Sequence, residues 1–345
     1  MTTRPPADTR PAQPDQRAGL ARPGTLVGLA HHRWTRFAVR RSGRLLMSLW
    51  VLVTAAFLMI HLVPGDPVRA SLGPTASAEL VAARRESLGL DQPLWAQYVT
   101  YLRDLLTGDL GTSFGSQLPV ADTIAQRLPA TATLALLAFL TAVLVAVPVG
   151  VAVAVATRRG RAPRTELGFA STSVFLATIP DFLLAVALVW VFGVTLGWLP
   201  IAGQDGAASF VLPVLALAVG PAAVLARIVR VEMLAVLETD YVRTARAKRL
   251  PPAAVHLGHA LPNAVTASLT LGGLLLGQLV AGTVLVESVF AWPGLGSTIV
   301  ESILAKDYPL VQGTVLVYGI GVLIVNTLVD VALAVLDPRS TIGES

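Results

Sequence analysis

The segment DYVRTARAKRLPPAAVHLGHALP, Asp240 to Pro262, decides the fold because it is a basic, helix-compatible stretch between two long apolar runs. The run before it extends from Phe210 to Ala226, and the run after it extends from Ala264 to Phe290. A helix needs roughly 20 apolar residues to cross the hydrocarbon core of a bilayer, which is about 30 Å thick. Both runs reach or approach that length, so the segment is predicted to be a loop at a membrane surface, open to contact by another protein.

Composition places the whole chain in the same class. Its 345 residues are 54% hydrophobic and 14% charged, with a mean hydropathy of +0.68, whereas roughly a quarter of the residues in a soluble domain are charged. A lipid-spanning segment must satisfy its backbone hydrogen bonds internally, so the apolar runs predict an all-α membrane protein with six spans. The predicted spans are about residues 43–63, 130–156, 167–192, 208–228, 264–287 and 309–335.

The distribution of arginine predicts the orientation, because Lys and Arg near the spans concentrate on the cytoplasmic side. The tail up to Arg44 carries nine Arg and two Asp, and the loops at Arg158–Arg164 and Asp240–Pro262 are also basic. Between Val63 and Leu128, five Arg stand against seven Asp or Glu. Both termini and the two basic loops are therefore predicted to be cytoplasmic in a multi-pass protein of the cell (inner or plasma) membrane. The net charge of +5 follows from these loops, so membrane lipid is a predicted partner and nucleic acid is not.

The same patterns divide the chain into parts. Residues 1–38 are rich in Pro and Arg and are predicted to be a disordered cytoplasmic tail. Residues 39–128 hold the first span and an extracytoplasmic region, and residues 129–339 form the core transmembrane domain. That domain includes a cytoplasmic loop at about residues 230–262, and residues 340–345 are a C-terminal tail.

The extracytoplasmic region contains one clear helical pattern. A turn is predicted at Asp91 to Pro93, and apolar residues then recur at helical spacing from Leu94 to Leu106. The Gly108-Asp109 pair is predicted to end this helix. Its role is predicted to be an amphipathic cap over the bundle or a landing surface for a protein that delivers a substrate.

Several separated motifs together resemble one known family. They are PGDP at Pro64–Pro67, the stretch Leu88–Ser113, VFAWPGLG at Val289–Gly296, DYPLVQG at Asp307–Gly313 and LDPR at Leu336–Arg339. In this order they resemble the permease subunits of ABC importers of the dipeptide, oligopeptide and nickel class, over about residues 40–339. The resemblance implies a type I ABC importer (MetI-like) bundle of six transmembrane helices. It also implies a small extracytoplasmic helical region between spans 1 and 2.

In that family a cytoplasmic loop with a Glu-Ala-Ala signature contacts the ATPase, and the Asp240–Pro262 segment is similar to it. The resemblance implies these ATPase-coupling residues: Arg243, Thr244, Ala245, Arg246, Arg249, Leu261 and Pro262. Arg249 stands where the family usually has glycine, which predicts a fit to the ATPase particular to this system.

The same segment is predicted to form two short helices with a corner at residues 249–252. Pro251 and Pro252 disfavour helix at Leu250 and suit the start of a second helix.

Energy for transport must come from other chains. The sequence contains no G-x-x-x-x-G-K-[ST] phosphate loop, and its only lysines are Lys248 and Lys306. The chain is therefore predicted to be a non-catalytic permease that binds no cofactor, with ATP used by partner subunits. The resemblance implies two ATPase subunits, a second homologous permease that completes a heterodimer, and an extracytoplasmic substrate-binding protein. Without the family motifs, contact with lipid headgroups alone is the favoured interpretation of the loop.

The resemblance implies peptide as the cargo, with glutathione, nickel complexes or another small solute as alternatives. Asp181 in the third span is a candidate for the substrate pathway, because a carboxylate in lipid is costly unless it faces the bundle interior or water. It could meet the amino terminus of a peptide or a cation, satisfy backbone groups freed by Pro180, or lie at a subunit contact. Gln278 is a second candidate for the pathway. Glu287 and Asn326 are weaker candidates, and Asp330 is predicted to be a structural anchor.

Two other functional classes and a metal site are weighed against this prediction. A secondary transporter would need more intramembrane ionisable groups than Asp181. A membrane-embedded enzyme would need H-E-x-x-H, G-x-S-x-G or a carboxylate pair, and none appears within the predicted spans. His256 and His259 have the spacing of one helix face but lack further ligands. The chain has no cysteine, so no metal site is predicted.

Overall fold

A computed structural model describes residues 23–62, 67–72, 76–87 and 89–336, and helices dominate these residues. The prediction of an all-α protein is confirmed for this part of the chain. The helices are α1 (Pro23–Leu62), α2 (Pro67–Leu72), α3 (Ala78–Ser87), α4 (Leu94–Thr107), α5 (Val120–Thr157), α6 (Pro163–Thr178), α7 (Asp181–Leu188), α8 (Val211–Leu237), α9 (Asp240–Ala247), α10 (Leu261–Val289), α11 (Leu295–Leu304) and α12 (Tyr308–Leu336). Short 3₁₀ or π-helical segments lie at Arg158–Gly160, Val189–Thr195, Ala207–Phe210 and Ala254–Ala260.

Within the described residues, four helical stretches are long and apolar enough to cross a membrane. A fifth crossing results if the bent pair of α6 and α7 is taken as one span. Helix α10, with 29 residues, covers the predicted fifth span. The count of six spans stays a prediction. The four stretches are Val39–Met59, Val120–Gly160, Ala207–Leu237 and Tyr308–Val331.

The third predicted span is not one straight helix. Helix α6 ends at Thr178, and α7 begins at Asp181 after a bend of 94°. Pro180 causes this break because proline has no N–H to donate and disfavours helical backbone in the residue before it. Ile179 is accordingly extended, with φ −70° and ψ 122°. Asp181 therefore lies in the first turn of a new helix, not in the middle of a continuous one.

Helices α5 and α8 form the centre of the bundle and approach each other closely. A Cβ atom added to Gly150 of α5 would lie 2.6 Å from the carbonyl oxygen of Ala226 and 2.8 Å from Cβ of Val229. Non-bonded Cβ atoms do not approach other heavy atoms this closely. The close approach of the two helices therefore requires glycine at position 150. Trp292, fully buried at the other end of the bundle, donates its indole N–H to the carbonyl of Ala130 at 3.2 Å. A buried indole needs such an acceptor.

Three helices, α2 to α4, lie in the connection between α1 and α5. The predicted helix from Leu94 and its end at Gly108 are confirmed, because Gly108 adopts φ +80° directly after α4. Tyr98 of α4 contacts Phe57 of α1 edge-on, with ring centroids 5.1 Å apart. By contrast Leu106 is 89% exposed. One face of α4 thus packs on α1, and the opposite face is free for another contact within the described part of the chain.

Some predicted features lie outside the described residues. The first 22 residues of the predicted tail are among them, and residues 23–38 belong to α1. The PGDP motif before Pro67, the LDPR motif after Leu336 and residues 340–345 are likewise not described.

Candidate functional site

Helix α9 is attached to the bundle through one buried face. Val242 and Ala245 are 0% and 5% exposed, and they pack against Leu237, Val255 and Ala260. These partners come from the end of α8 and from the π-helical segment before α10. A helix with one buried apolar stripe is held by that stripe, so α9 is packed against the end of α8 and the segment before α10.

The predicted coupling residues of α9 divide into two groups. Ala245 faces the chain's own bundle, so it supports the helix from within. Arg243 and Thr244 are exposed on the other side. Arg243 pairs with Asp240 at 3.2 Å, and the Thr244 hydroxyl donates to the Asp240 carbonyl at 3.0 Å. Of the predicted coupling residues on α9, Arg243 and Thr244 are therefore the ones exposed to a partner subunit.

Arg249 adopts the conformation that glycine usually supplies. Its φ is +56°, in the left-handed region. Its N–H donates to the Arg246 carbonyl at 2.9 Å, and the Leu250 N–H donates to the Ala245 carbonyl at 3.4 Å. This pair of hydrogen bonds is the Schellman motif that ends many helices, with its left-handed residue at Arg249. The corner thus keeps the glycine geometry with an arginine in place.

Replacing Arg249 with glycine is expected to stabilise the protein by about 1 kcal/mol, because a side chain in the left-handed region is strained. Thermal unfolding in detergent measures the change. Lys248→Gly is the matched control: it also removes one positive charge, but φ is −72° at that position, so glycine there is expected to bring no gain. Equal midpoints for Arg249→Gly and the wild type would contradict strain at Arg249.

The two prolines act as predicted. Leu250 and Pro251 are not helical, and helix resumes at residue 252. The first hydrogen bond of the new helix runs from the Val255 N–H to the Pro251 carbonyl at 3.1 Å. The corner itself, however, is made by the positive φ of Arg249, and the prolines start the next helix. Pro262 lies in the first turn of α10, next to Leu261.

The last coupling residue, Arg246, belongs to a cluster of positive charge. It lines a cavity of about 340 Å³ together with Arg158, Arg159, Arg161 and His256. Burial lowers the pKa of the Arg246 guanidinium, and the charge of Arg159 lowers it further. Burial and the charges of Arg246 and Arg158 likewise lower the pKa of His256. His256 therefore favours its neutral form.

The two histidines of this region have different surroundings. His256 lines the basic cavity, whereas Nδ1 of the exposed His259 lies 3.0 Å from the Ala254 carbonyl. Within the described ranges, no three side chains of the metal-binding types converge.

Asp181 lies between three helices of the bundle. A Cβ added to Gly282 of α10 would lie 3.0 Å from one of its carboxylate oxygens, and a Cβ added to Gly220 of α8 would lie 3.7 Å from the other. The lack of side chains at these two glycines thus allows the carboxylate to pack against α8 and α10. Gln278 is exposed and lines a different cavity, of about 610 Å³, near Asn326. The structure therefore does not bring the two predicted pathway residues together.

The weaker polar candidates have structural contacts. Glu287 is fully buried, and one of its carboxylate oxygens accepts the Ser297 N–H at 3.1 Å at the start of α11. Gly294 and Gly296 of the VFAWPGLG motif leave room for this carboxylate, because a Cβ on either would lie within 3.0 Å of it. Asp330 forms an ion pair with Arg41 of α1, as the predicted structural anchor would.

Asp307 is the site residue that the sequence patterns did not predict. It is 4% exposed, and its carboxylate accepts the Ser113 hydroxyl. It also accepts the backbone N–H groups of Phe114 and Gly115, both at 3.0 Å. These contacts join the turn before α5 to the start of α12. The sequence pattern that could have predicted its role is an Asp directly before a Tyr-Pro pair, because this pattern is typical of the start of a helix.

A bundle of long apolar helices with a short helix packed against its end is the architecture of an integral membrane protein. The chain belongs to the family described as binding-protein-dependent transport system inner membrane components. The profile of this family matches residues 146–342, and the profile of its N-terminal part matches residues 34–135.

Similar proteins agree with this membership. The glutathione transport system permease protein GsiC of Escherichia coli K12 is 39% identical over 303 residues, which cover 88% of this chain and 97% of that protein. The protein of the same name from Salmonella typhi is 40% identical over the same length. An inward-facing structure of the MetNI methionine ABC transporter has a similar fold, with a TM-score of 0.53 at 19% identity; the match covers 62% of this chain and 96% of that one.

The predicted family and its functional class are therefore confirmed. The chain is a non-catalytic, multi-pass inner-membrane permease subunit of an ABC importer, and ATP hydrolysis belongs to separate subunits. The MetI-like fold is confirmed as well.

Proposed function

We propose that this permease forms half of a translocation pathway for short peptides, including glutathione-like ones. The observation that carries the proposal is the 39% identity to a glutathione permease over 88% of the chain. A distinct homologous permease supplies the other half, an extracytoplasmic binding protein delivers the cargo, and both termini are cytoplasmic. The chain binds no cofactor of its own, and the two partner ATPase subunits bind and hydrolyse the ATP.

Coupling to the ATPase runs through α9. The exposed Arg243 and Thr244 contact the ATPase, while the buried Val242 and Ala245 fix the helix to α8. Closure of the ATPase dimer then moves α9 and α8 as one body, and access to the pathway alternates between the two sides. Charge on α9 contributes to the fit and to the choice of partner more than to raw affinity.

The test is uptake into proteoliposomes that contain the two permeases and the ATPase subunits. With the cognate binding protein outside and ATP inside, labelled dipeptides, glutathione and a nickel chelate are offered in turn. ATP-dependent uptake of at least one peptide is expected. Uptake of the nickel chelate alone would make the peptide assignment wrong, and uptake that persists without ATP would favour a secondary transporter.

Asp181 is proposed to contact the amino terminus of the peptide, because it is a carboxylate within the bundle, next to Gly220 of α8 and Gly282 of α10. Asp181→Asn is expected to lower uptake of a free peptide about tenfold, since one charged hydrogen bond contributes roughly 1.5–3 kcal/mol. The N-acetylated form of the same peptide is the control, and its uptake is expected to be unaffected. An equal loss for both forms would instead indicate a structural role at the Pro180 bend.

A further inference from the structure

The basic cavity lies between the end of α5 and the corner after α9. Its charged lining consists of Arg158, Arg159, Arg161 and Arg246, with His256 beside them, and its volume is about 340 Å³. Three of these arginines come from the turn between α5 and α6, and Arg246 comes from α9. The cavity therefore connects the coupling helix to a second loop at the same end of the bundle.

Two guanidinium groups beside this cavity are incompletely satisfied by the protein. Nε of Arg158 and Nη2 of Arg246 are buried and have no hydrogen-bond partner within the described ranges. Nη2 of Arg158 donates to the Leu237 carbonyl at 3.2 Å. A buried charged donor without an acceptor costs free energy. The positive charge of these two arginines is therefore not fully compensated by hydrogen bonds within the described ranges.

The charges around the cavity also favour an anion. Positive charge on Arg159 acts unfavourably on Arg246, and the charges of Arg246, Arg159 and Arg161 act on Arg158 in the same way. Glu238 is the acidic neighbour that favours the charged form of Arg158, and it does not line the cavity. Like charges in partial burial repel strongly, so a bound anion would relieve this repulsion.

We propose that the basic cavity binds the phosphate of an anionic phospholipid headgroup. Guanidinium groups match phosphate oxygens by paired, charge-assisted hydrogen bonds. The cavity also has apolar walls, formed by Val155, Leu250 and Val255, which suit the glycerol and first acyl carbons of a lipid. Basic pockets between helices on the cytoplasmic side are known to take anionic headgroups.

The position of the cavity favours a lipid over a soluble phosphate compound. Arg158 follows directly on α5, a stretch long and apolar enough to span a membrane, and α6 begins at Pro163. The predicted spans on either side end at about residue 156 and begin at about residue 167, so this turn is predicted to lie at the membrane surface. The inference rests on the proposed cytoplasmic side of this loop, and a bound lipid would fix the corner of α9 to the end of α5.

The experiment measures lipid retention by the full-length chain, purified in detergent with equal amounts of phosphatidylglycerol and phosphatidylcholine. Native mass spectrometry counts the bound lipids. The wild type is expected to retain phosphatidylglycerol about tenfold over phosphatidylcholine, since clustered surface cations attract a headgroup with net negative charge. Arg159→Gln combined with Arg246→Gln is expected to abolish this preference. Arg164→Gln is the matched control, because Arg164 is an exposed arginine of the same loop outside the cavity.

Three outcomes would overturn the proposal. One is an unchanged preference in the double variant. Another is displacement of the lipid by millimolar inorganic phosphate alone, which would assign the cavity to a soluble anion. The third is displacement by the purified ATPase subunit, which would assign it to an acidic protein segment. If the double variant fails to fold, Arg159→Gln alone serves as the test. Transport is not measured here, so failure of the peptide assignment would leave the lipid result unaffected.

Discussion

Replacement of Ala245 with arginine is expected to abolish uptake while the protein stays in the membrane. Ala245 is 5% exposed, and it packs with Val242 and Leu237 at the contact that holds α9 to α8. An arginine there adds volume to a packed contact and buries a charge, and these effects together cost about 3 kcal/mol or more. Helix α9 is then expected to detach from α8 without unfolding the bundle. Uptake in proteoliposomes, with membrane content measured by blotting, checks the result.

The matched control is Ala247→Arg, two residues further along the same helix, where the side chain is exposed. Thermal unfolding is expected to shift for Ala245→Arg and to stay at the wild-type value for Ala247→Arg. This comparison separates loss of the internal contact from general intolerance of charge on α9. A normal uptake rate for Ala245→Arg would exclude the transmission of force through this packed face.

Local chemistry made the corner of the Asp240–Pro262 segment predictable from sequence. Proline has a fixed φ and no donor, so Pro251 and Pro252 determine where helix must stop and restart. The end of α4 at Gly108 was predictable for the same reason, because glycine adopts positive φ without strain. By contrast, arginine carries no such signal, so the left-handed turn at Arg249 could not be read from its side chain.

Long-range contacts set the limit of prediction. The apolar pattern of the third span contains Pro180, but the pattern alone does not give the 94° bend at that point. Likewise, the signature position of Ala245 suggested contact with a partner, whereas its side chain packs against α8 and the segment before α10. Which face of an eight-residue helix is buried depends on residues far away in sequence. The link from Asp307 to Ser113 is of the same kind, since 194 positions separate the two residues.

The positions of these contacts give the subunit two anchored ends. At one end α9 is fixed to α8 by apolar packing, and at the other the start of α12 is fixed to the turn before α5 by Asp307. The bend at Pro180 and the glycines around Asp181 lie between them. Alternating access needs rigid bodies that move against each other. Rigid ends with a broken helix between them fit that requirement.

Replacement of Asp307 with alanine is expected to lower the free energy of unfolding by about 3 kcal/mol. The carboxylate accepts the Ser113 hydroxyl and the N–H groups of Phe114 and Gly115. Its loss leaves the buried Ser113 hydroxyl and at least one backbone donor without an acceptor, at roughly 1–3 kcal/mol each. Thermal and denaturant unfolding in detergent measure the change, and uptake assays then test whether this end of the bundle must be rigid.

Two further variants make this test specific. Ser113→Ala removes one of the three donors and is expected to cost about 1 kcal/mol, less than Asp307→Ala. Glu301→Ala removes an exposed carboxylate of the neighbouring helix α11 and is expected to leave stability unchanged. This order of stability losses is expected only if the hydrogen bonds to Asp307, and not its charge alone, hold the turn before α5 to α12. A loss for Glu301→Ala as large as that for Asp307→Ala would mean that negative charge at this end, in whatever position, is what stabilises it.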